Sequence, residues 1–401
     1  MSNEYRDIMP LFSGKKIMAS DIDIKNPVIK TQHPVVVIYP PTIDWNYMKQ
    51  RPQQIMEQFS LNRFDVFYCN KTQSKTQLYT NINPNLRIVH NNTTFISDIV
   101  PQLKKQGKKI ILWVSWSKLH SFLDHYSPDF IIYDYLDDFA AWEPYLDPMV
   151  NKADVVITTS KILNDRMKRD YPQKPNFMVP NGCNLSHFVP DKNSPKPVEF
   201  LDHNGPVITY SGAWANWINA GLIEKIALTY KDALVAIIGT LFGVSVPKQI
   251  PNIKYLGLKQ YDQLPPYLQH STVCIIPFLI NPITVATNPI KMYEYLASGT
   301  PVVSSDIPEA RGVPGVYIGK NDKDFVDKIG MILRKEHDFN YDEVYSWLKT
   351  HTWERRFEKI HSIINEFMDI PNLKAVNEAE NVNKNENDND NKDKEKTDDK
   401  L

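Results

Sequence analysis

The chain has 401 residues, of which 46 are Lys or Arg and 47 are Asp or Glu, so its formal net charge is −1. This balance argues against a dedicated nucleic-acid-binding protein, which usually carries a strongly basic face. Hydrophobic residues make up 42% of the chain and aromatic residues 11%, enough to build packed cores and to exclude a wholly disordered protein. At about 150 residues per domain, the length predicts two to three domains.

Residues 1–33 show little periodicity, and we expect an irregular lead-in there. Alternating strands and helices follow over residues 34–190. Continuous apolar runs of this kind are typical of strands buried on both faces of a parallel sheet. A helix is predicted to begin near Pro52, and strands are predicted at 35–39, 64–68, 109–114, 130–134, 155–158 and 177–180.

The segment 191–205 is rich in Pro, Lys and Asp, which predicts a linker. The alternation restarts over 206–345, with a helix at 222–230 and strands at 207–210, 234–238, 253–256, 273–276, 302–305 and 316–318. Residues 346–370 are periodic and predict a closing helix, whereas the Asn/Asp/Lys/Glu-rich residues 371–401 are expected to be disordered. The two blocks predict an α/β fold of two Rossmann-like, doubly wound parallel-sheet domains facing each other across a cleft.

The cysteines, the histidines and the apolar stretches limit the compartment and the cofactors that we expect for this protein. Cys69, Cys183 and Cys274 lie far apart in sequence, so they predict no disulfide framework and no metal site, and they favour a reducing compartment. The histidines show no ligand spacing, so we expect no metal and no required cofactor. The longest apolar stretch, residues 273–280, is far too short to span a bilayer, and no signal-peptide pattern is present. The sequence therefore predicts a cytoplasmic protein, peripheral to a membrane at most.

The most informative segment is residues 287–303. Asn288 is a candidate helix N-cap and Pro289 suits the first turn of the helix, whose N-terminus favours a phosphate. Lys291 and Glu294 are three residues apart and share one face of that helix. Lys291 could hold a diphosphate while Glu294 accepts hydrogen bonds from ribose hydroxyls. The alternative is an ordinary surface ion pair on a capped helix.

A glycine also follows the first strand of the second block. Ser211 and Gly212 stand at that first β-α turn, where a residue without Cβ lets the backbone approach a phosphate closely. Gly239 ends the next predicted strand in the same way. A plain tight turn is the alternative, because neither the dinucleotide-binding nor the P-loop glycine fingerprint is present.

Several polar residues in the first block are candidates for catalysis or for ligand binding. Asp134 lies at the carboxyl end of a predicted strand, where it could act as general base or stabilise a cationic transition state; a helix cap or a solvated acidic turn is the alternative. If a divalent metal were used, Asp137 and Asp138 would be the first choice of ligands. Arg51 could grip a phosphate or carboxylate, or be an exposed first-turn residue. An aromatic set could stack on sugars, touch a membrane interface or pack in a core: Trp113, Trp116, Tyr126, Trp142 and Tyr145.

In order and spacing, these segments resemble the group 1 glycosyltransferases of the GT-B fold, and among them the bacterial enzymes of teichuronic-acid and exopolysaccharide type. The resemblance extends from about residue 34 to 368. Its carriers are Ala153–Ser160, Val179–Asn184 with Phe188, Tyr255–Gly257 with the helical residues after it, Asn288–Val303, and Trp353 with Arg356 and Phe357.

The resemblance implies a hexosyltransferase-type enzyme in cell-surface polysaccharide synthesis. Its nucleotide-sugar donor, with UDP-sugar the first expectation, would bind the C-terminal domain, and a saccharide or lipid-linked acceptor would bind the N-terminal domain. The donor-binding residues would be Ser211, Gly212, Gly239, Leu256, Gly257, Asn288, Pro289, Lys291 and Glu294. Asp134, Glu294 and Lys291 would serve catalysis, with Arg51, Asp137 and Asp138 on the acceptor side. Membrane association would be peripheral, at the inner face of the plasma membrane.

Three departures from the family pattern keep alternatives open. Ala286 stands eight residues before Glu294, where many relatives carry a second glutamate. Residues 213–217, after the Gly212 turn, contain no Arg or Lys. Residues 40–45 replace a glycine-rich loop after the first strand. The alternatives are a non-catalytic GT-B scaffold or partner subunit, and a GT-B nucleotide-sugar epimerase.

Overall fold

A computed structural model of the chain describes residues 29–247 and 249–368. The predictions for most of the lead-in and for the tail at 371–401 therefore lie outside the described residues. The strands are β1 (Val35–Tyr39), β2 (Asp65–Cys69), β3 (Tyr79–Asn83), β4 (Leu86–Val89), β5 (Lys109–Val114), β6 (Phe130–Tyr135), β7 (Val155–Thr158), β8 (Asn176–Met178), β9 (Val207–Ser211), β10 (Leu234–Ile238), β11 (Ile253–Tyr255), β12 (Val273–Ile276), β13 (Val302–Ser305) and β14 (Val316–Gly319).

The α-helices are α1 (Arg51–Leu61), α2 (Asn92–Thr94), α3 (Val100–Lys105), α4 (Leu146–Lys152), α5 (Lys161–Asp170), α6 (Leu185–Phe188), α7 (Ala220–Thr229), α8 (Leu264–Gln269), α9 (Pro282–Ala286), α10 (Ile290–Ala297), α11 (Asp322–Leu333), α12 (Tyr341–Leu348) and α13 (Trp353–Phe367). A π-helical turn covers Phe95–Ile99, and 3-10 helices cover Ser117–Tyr126, Ala140–Tyr145, Val198–Phe200, Tyr261–Gln263 and Pro308–Ala310. No helix in the described ranges is both long and apolar enough to cross a membrane.

The first eight strands form one sheet in the order β3-β4-β2-β1-β5-β6-β7-β8. Every neighbouring pair is parallel except β3 and β4. The strand order reverses between β1 and β5, so the carboxyl ends of those strands mark the switch point at which open α/β sheets bind ligands. All five residues of β1 are buried, which explains its unbroken apolar sequence.

The last six strands form a second, wholly parallel sheet in the order β11-β10-β9-β12-β13-β14. Its switch point lies between β9 and β12, at the turn that begins with Ser211 and Gly212. The predicted α/β class with two Rossmann-like sheets is therefore confirmed.

The bounds predicted for β1, β5, β7, β10, β12 and β13 are confirmed, and the other predicted strands differ by one or two residues at an end. The helix predicted at 222–230 is present as α7. The closing helix predicted over 346–370 is wrong in extent, because α12 and α13 are separate. Thr352 instead pairs in a parallel bridge with Cys183, whose carbonyl accepts the Trp353 N–H at 3.1 Å, and this withdraws the backbone at 349–352 from a helix.

Most of the aromatic set belongs to the interior. Trp113, Trp116 and Tyr126 are buried, whereas Trp142 and Tyr145 are half-buried. Packing in the core is therefore the observed role of the first three, in line with the size of these side chains.

Candidate functional site

Three backbone turns meet at the carboxyl edge of the second sheet. The Gly212 N–H donates to the carbonyl of Ile238 at 2.9 Å, and the Gly239 N–H donates to the carbonyl of Gly257 at 2.9 Å. Gly239 has a φ of +142°, and a Cβ there would overlap the carbonyl oxygen of Gly212. Only glycine fits this close approach. The turns after β9, β10 and β11 consequently form a floor of backbone that a ligand can approach closely.

Helix α10 is fastened to this floor by a buried tyrosine. The Tyr295 hydroxyl accepts the Ser211 N–H at 2.7 Å and donates to the Ser211 carbonyl at 2.8 Å. These two bonds fix α10 relative to the end of β9. The sequence analysis gave Tyr295 no role, although its position four residues after Lys291 places it on a neighbouring part of the same helix surface.

Lys291 and Glu294 lie together on α10, as their spacing predicts. Lys291 Nζ is 2.6 Å from Glu294 Oε2. The Glu294 side chain is only 1% exposed, so this is not a surface ion pair. Its other oxygen, Oε1, is buried and has no hydrogen-bond partner within residues 29–247 and 249–368. An unsatisfied buried carboxylate oxygen is costly, so this atom is suited to accept a hydrogen bond from a bound ligand.

Asn288 does not cap α10, which corrects the prediction. The N-cap position belongs to Pro289, and no side chain caps this helix. The Asn288 side chain instead accepts the Asn181 N–H at 2.9 Å and donates to Glu309 at 3.1 Å. The Asn181 amide in turn donates to the Asn288 carbonyl at 2.6 Å. Asn288 therefore connects the turn at Asn181 to the start of α10, and both polar atoms of its side chain already bond to other residues of the protein.

Asp134 and Arg51 form a buried ion pair. Arg51 Nε donates to both carboxylate oxygens of Asp134, at 2.9 and 3.1 Å, and Trp113 Nε1 donates to one of them at 3.0 Å. The side chains of Arg51 and Asp134 are 3% and 0% exposed. Burial raises the pKa of Asp134, and the contacts with Arg51 and Trp113 oppose that shift.

This geometry excludes two alternatives. Arg51 is not an exposed residue in the first turn of a helix, and Asp134 does not lie in a solvated acidic turn. Both Asp134 oxygens are held by donors of the protein, so the structure gives no support to direct proton transfer between Asp134 and a substrate. Arg51 Nη1 reaches the Pro180 carbonyl at 3.1 Å and Asn181 Oδ1 at 3.4 Å. The pair therefore supports the same Asn181 turn that Asn288 clamps from the other side.

The two remaining acidic candidates differ from each other. Asp138 is paired with Arg166 and accepts a hydrogen bond from the Tyr135 hydroxyl. Asp137 is half-buried and has no hydrogen-bond or ion-pair partner among the described residues. Burial, with Asp134 and Asp138 nearby, raises its pKa to about 6. Nowhere in residues 29–247 and 249–368 do three or more His, Cys, Asp or Glu residues group as metal ligands.

A recess lies beside the backbone floor. The predicted residues Ser211, Gly212, Gly239 and Lys291 line it, whereas Leu256, Pro289 and the acidic candidates do not. The other lining residues were not predicted: Tyr47, Met48, Lys49, Ile238, Leu258, Lys259, Gln260, Tyr261 and Leu264. Residues 47–49 belong to the loop that joins the carboxyl end of β1 to α1. Because ligands bind at the carboxyl ends of strands in such sheets, the position of this loop could have identified these residues as candidates.

Comparison with known proteins supports a specific class of enzyme. Residues 205–335 match the family described as glycosyl transferases group 1. The chain is 22% identical over 300 residues to TuaH of Bacillus subtilis strain 168, whose name assigns it to teichuronic acid biosynthesis as a glycosyltransferase; the match covers 68% of this chain and 75% of TuaH.

Solved structures share the fold. Sucrose-phosphate synthase from Thermosynechococcus elongatus is 14% identical, with a TM-score of 0.65 over 84% of this chain and 99% of that one. The Anabaena protein HepE, solved in complex with UDP, is 11% identical, with a TM-score of 0.56 over 83% of this chain and 99% of that one. Residues 205–335 thus match a group 1 glycosyltransferase domain, and the chain shares the GT-B fold with these solved structures.

Proposed function

We propose that this enzyme transfers a hexosyl group from a UDP-sugar to a saccharide or lipid-linked acceptor during synthesis of a cell-surface polysaccharide. A role in polysaccharide synthesis is supported by the name of TuaH, which refers to teichuronic acid biosynthesis. The donor class is supported by HepE, which was solved with UDP, and by an E. coli GT-B structure bound to UDP-2-fluoro glucose. The proposed setting is the cytoplasm, with peripheral contact to the inner face of the plasma membrane.

One observation carries the proposal: Glu294 has a buried carboxylate oxygen without a hydrogen-bond partner among the described residues, and it pairs with Lys291, which lines the recess together with Gly212 and Gly239. In the proposed complex, Glu294 Oε1 accepts hydrogen bonds from the ribose hydroxyls of the donor. Lys291 and backbone N–H groups near Gly212 bind the diphosphate. They stabilise the negative charge that develops on this leaving group as the glycosidic bond to the sugar breaks. The proposal includes no metal ion.

Both halves of the fold contribute walls to the recess. Tyr47, Met48 and Lys49 come from the loop before α1, and the remaining lining comes from the second sheet and its loops. A donor enclosed between the two is shielded from water, which limits its hydrolysis before transfer. The acceptor would then approach from the side of β6, where Asp137 has an open carboxylate.

The first test is a calorimetric titration of the purified protein with UDP and with GDP. We expect UDP to bind, and Glu294→Gln to weaken binding about ten-fold or more, because a hydrogen bond to a charged group is lost. Glu224→Gln is the matched control, since Glu224 is exposed on α7. Preferential binding of GDP would refute the UDP assignment, and equal binding by wild type and Glu294→Gln would refute the donor site. Screening UDP-sugars against saccharide and lipid-linked acceptors then tests the transfer itself.

A further inference from the structure

Three lysines and no acidic side chain line the recess. These lining lysines are Lys49, Lys259 and Lys291. Each ammonium pairs with a carboxylate that does not line the recess. Lys49 Nζ is 2.7 Å from Glu57, Lys259 Nζ is 2.6 Å from Glu199, and Lys291 Nζ is 2.6 Å from Glu294. A ligand with more than one negative charge could form charge-assisted hydrogen bonds with several of these lysines.

Lys49 differs from the other two because it belongs to the first half of the fold. Its ammonium lies 4.7 Å from the ring centroid of Tyr261, and Gln54 Nε2 donates to the Tyr261 hydroxyl at 3.0 Å. At the other end of the same loop, the ring of Tyr47 packs edge-on against Phe242 at 6.4 Å. These contacts hold residues 47–49 against the second half, with Lys49 among the residues that line the recess.

The second half alone offers few cations near the Gly212 turn. Residues 213–217 contain no Arg or Lys. Lys259 belongs to the loop after β11, where its ammonium pairs with Glu199 and lies 5.2 Å from the ring centroid of Tyr267. Lys291 is therefore the main cation supplied by α10, and a diphosphate carries more charge than one ammonium neutralises.

We propose that Lys49 binds the donor diphosphate from the opposite half of the fold, completing with Lys291 and the Gly212 turn a phosphate site that neither half forms alone. This inference rests on the proposed function, because it requires a nucleoside diphosphate in the recess. Lys49 makes a second ammonium available to the phosphate oxygens and leaves Glu57 as its counterion when the site is empty. The contribution of Lys49 to nucleotide affinity should then increase with the number of phosphate groups on the nucleotide.

The test compares UDP, UMP and uridine on wild type, Lys49→Met and Lys49→Arg, by titration calorimetry, with displacement of UDP for weak ligands. We expect Lys49→Met to lower UDP affinity about ten-fold or more, because a charged hydrogen bond is lost. UMP affinity should fall less, and uridine affinity should stay within about two-fold. Lys49→Arg should retain most of the UDP affinity. Lys225→Met controls for loss of a surface charge, since Lys225 is exposed on α7, and thermal melts control for folding.

Two results would overturn the inference: equal loss of affinity for all three ligands in Lys49→Met, or no loss of UDP affinity. Glu294→Gln separates these results from a failure of the proposed function. If Glu294→Gln weakens UDP binding and Lys49→Met does not, the donor site stands and the role of Lys49 is wrong. If wild type does not bind UDP, the proposed function itself fails.

Discussion

Replacing Arg51 with methionine should destabilise the protein because it leaves a buried carboxylate without its counterion. Asp134 is 0% exposed, and both of its oxygens contact Arg51 Nε. After the substitution, only Trp113 Nε1 still donates to Asp134. Breaking a buried ion pair in this way typically costs about 3–5 kcal/mol. Loss of the Arg51 bond to the Pro180 carbonyl adds to that cost.

Urea denaturation followed by circular dichroism measures this loss. Asp134→Asn and the double variant Arg51→Met/Asp134→Asn complete a double-mutant cycle. The double variant should be more stable than Arg51→Met alone, since the uncompensated charge is gone, with a coupling energy of about 1 kcal/mol or more.

The stability deficit of Arg51→Met should also depend on pH. Burial already raises the pKa of Asp134, and removing Arg51 raises it further. A carboxyl whose pKa is higher in the folded state lowers stability only where it is ionised, so the deficit of Arg51→Met should shrink as the pH falls from 8 to 5. A deficit below about 1 kcal/mol, or one independent of pH, would refute the view that Arg51 compensates a buried charge.

Three further predictions test other parts of the site. Gly239→Ala should lower the melting temperature and UDP affinity, because a Cβ would overlap the Gly212 carbonyl; Gly243→Ala, at φ +66° with open space around its Cβ, should show only backbone strain of about 1 kcal/mol. Tyr295→Phe should cost about 1–3 kcal/mol in urea unfolding, since it leaves the Ser211 N–H and carbonyl unpaired. Asp137→Asn should raise stability by about 1–3 kcal/mol at pH 8 and by little at pH 4, because the raised folded pKa of about 6 penalises only the ionised form; equal stability at both pH values would contradict that pKa.

Local patterns were sufficient for most of the fold because its strands are buried on both faces. Runs such as Val35–Tyr39 and Leu234–Ile238 are wholly buried, so their apolar sequence has one ready interpretation. The hairpin of β3 and β4 was missed for the opposite reason. Tyr79–Asn83 is a polar, largely exposed edge strand without a clear period, so its pairing with β4 is set by the neighbouring sheet.

The same distinction explains which parts of the site were predicted. The contact between Lys291 and Glu294 follows from helical spacing alone. Arg51 and Asp134 were each selected as candidates, but their pairing joins positions 83 residues apart. No periodicity encodes such a contact, because it depends on where the fold places the first residue of α1 relative to the end of β6. For that reason the sequence assigned both residues to a substrate, whereas the structure assigns them first to each other.

Two departures from the family pattern can be explained together by the residues that line the recess. Residues 40–45 replace a glycine-rich loop after β1, and residues 213–217 bring no cation to the turn after β9. In the sequence, the replaced glycine-rich loop and the absent cation are two unrelated features. In the structure the loop after β1 continues to Lys49, which lines the same recess as Gly212. A side chain from one half can thus replace a missing charge on the other. Under the proposed role of Lys49, this replacement makes diphosphate binding depend on the closeness of the two halves, so that phosphate affinity itself favours the closed arrangement.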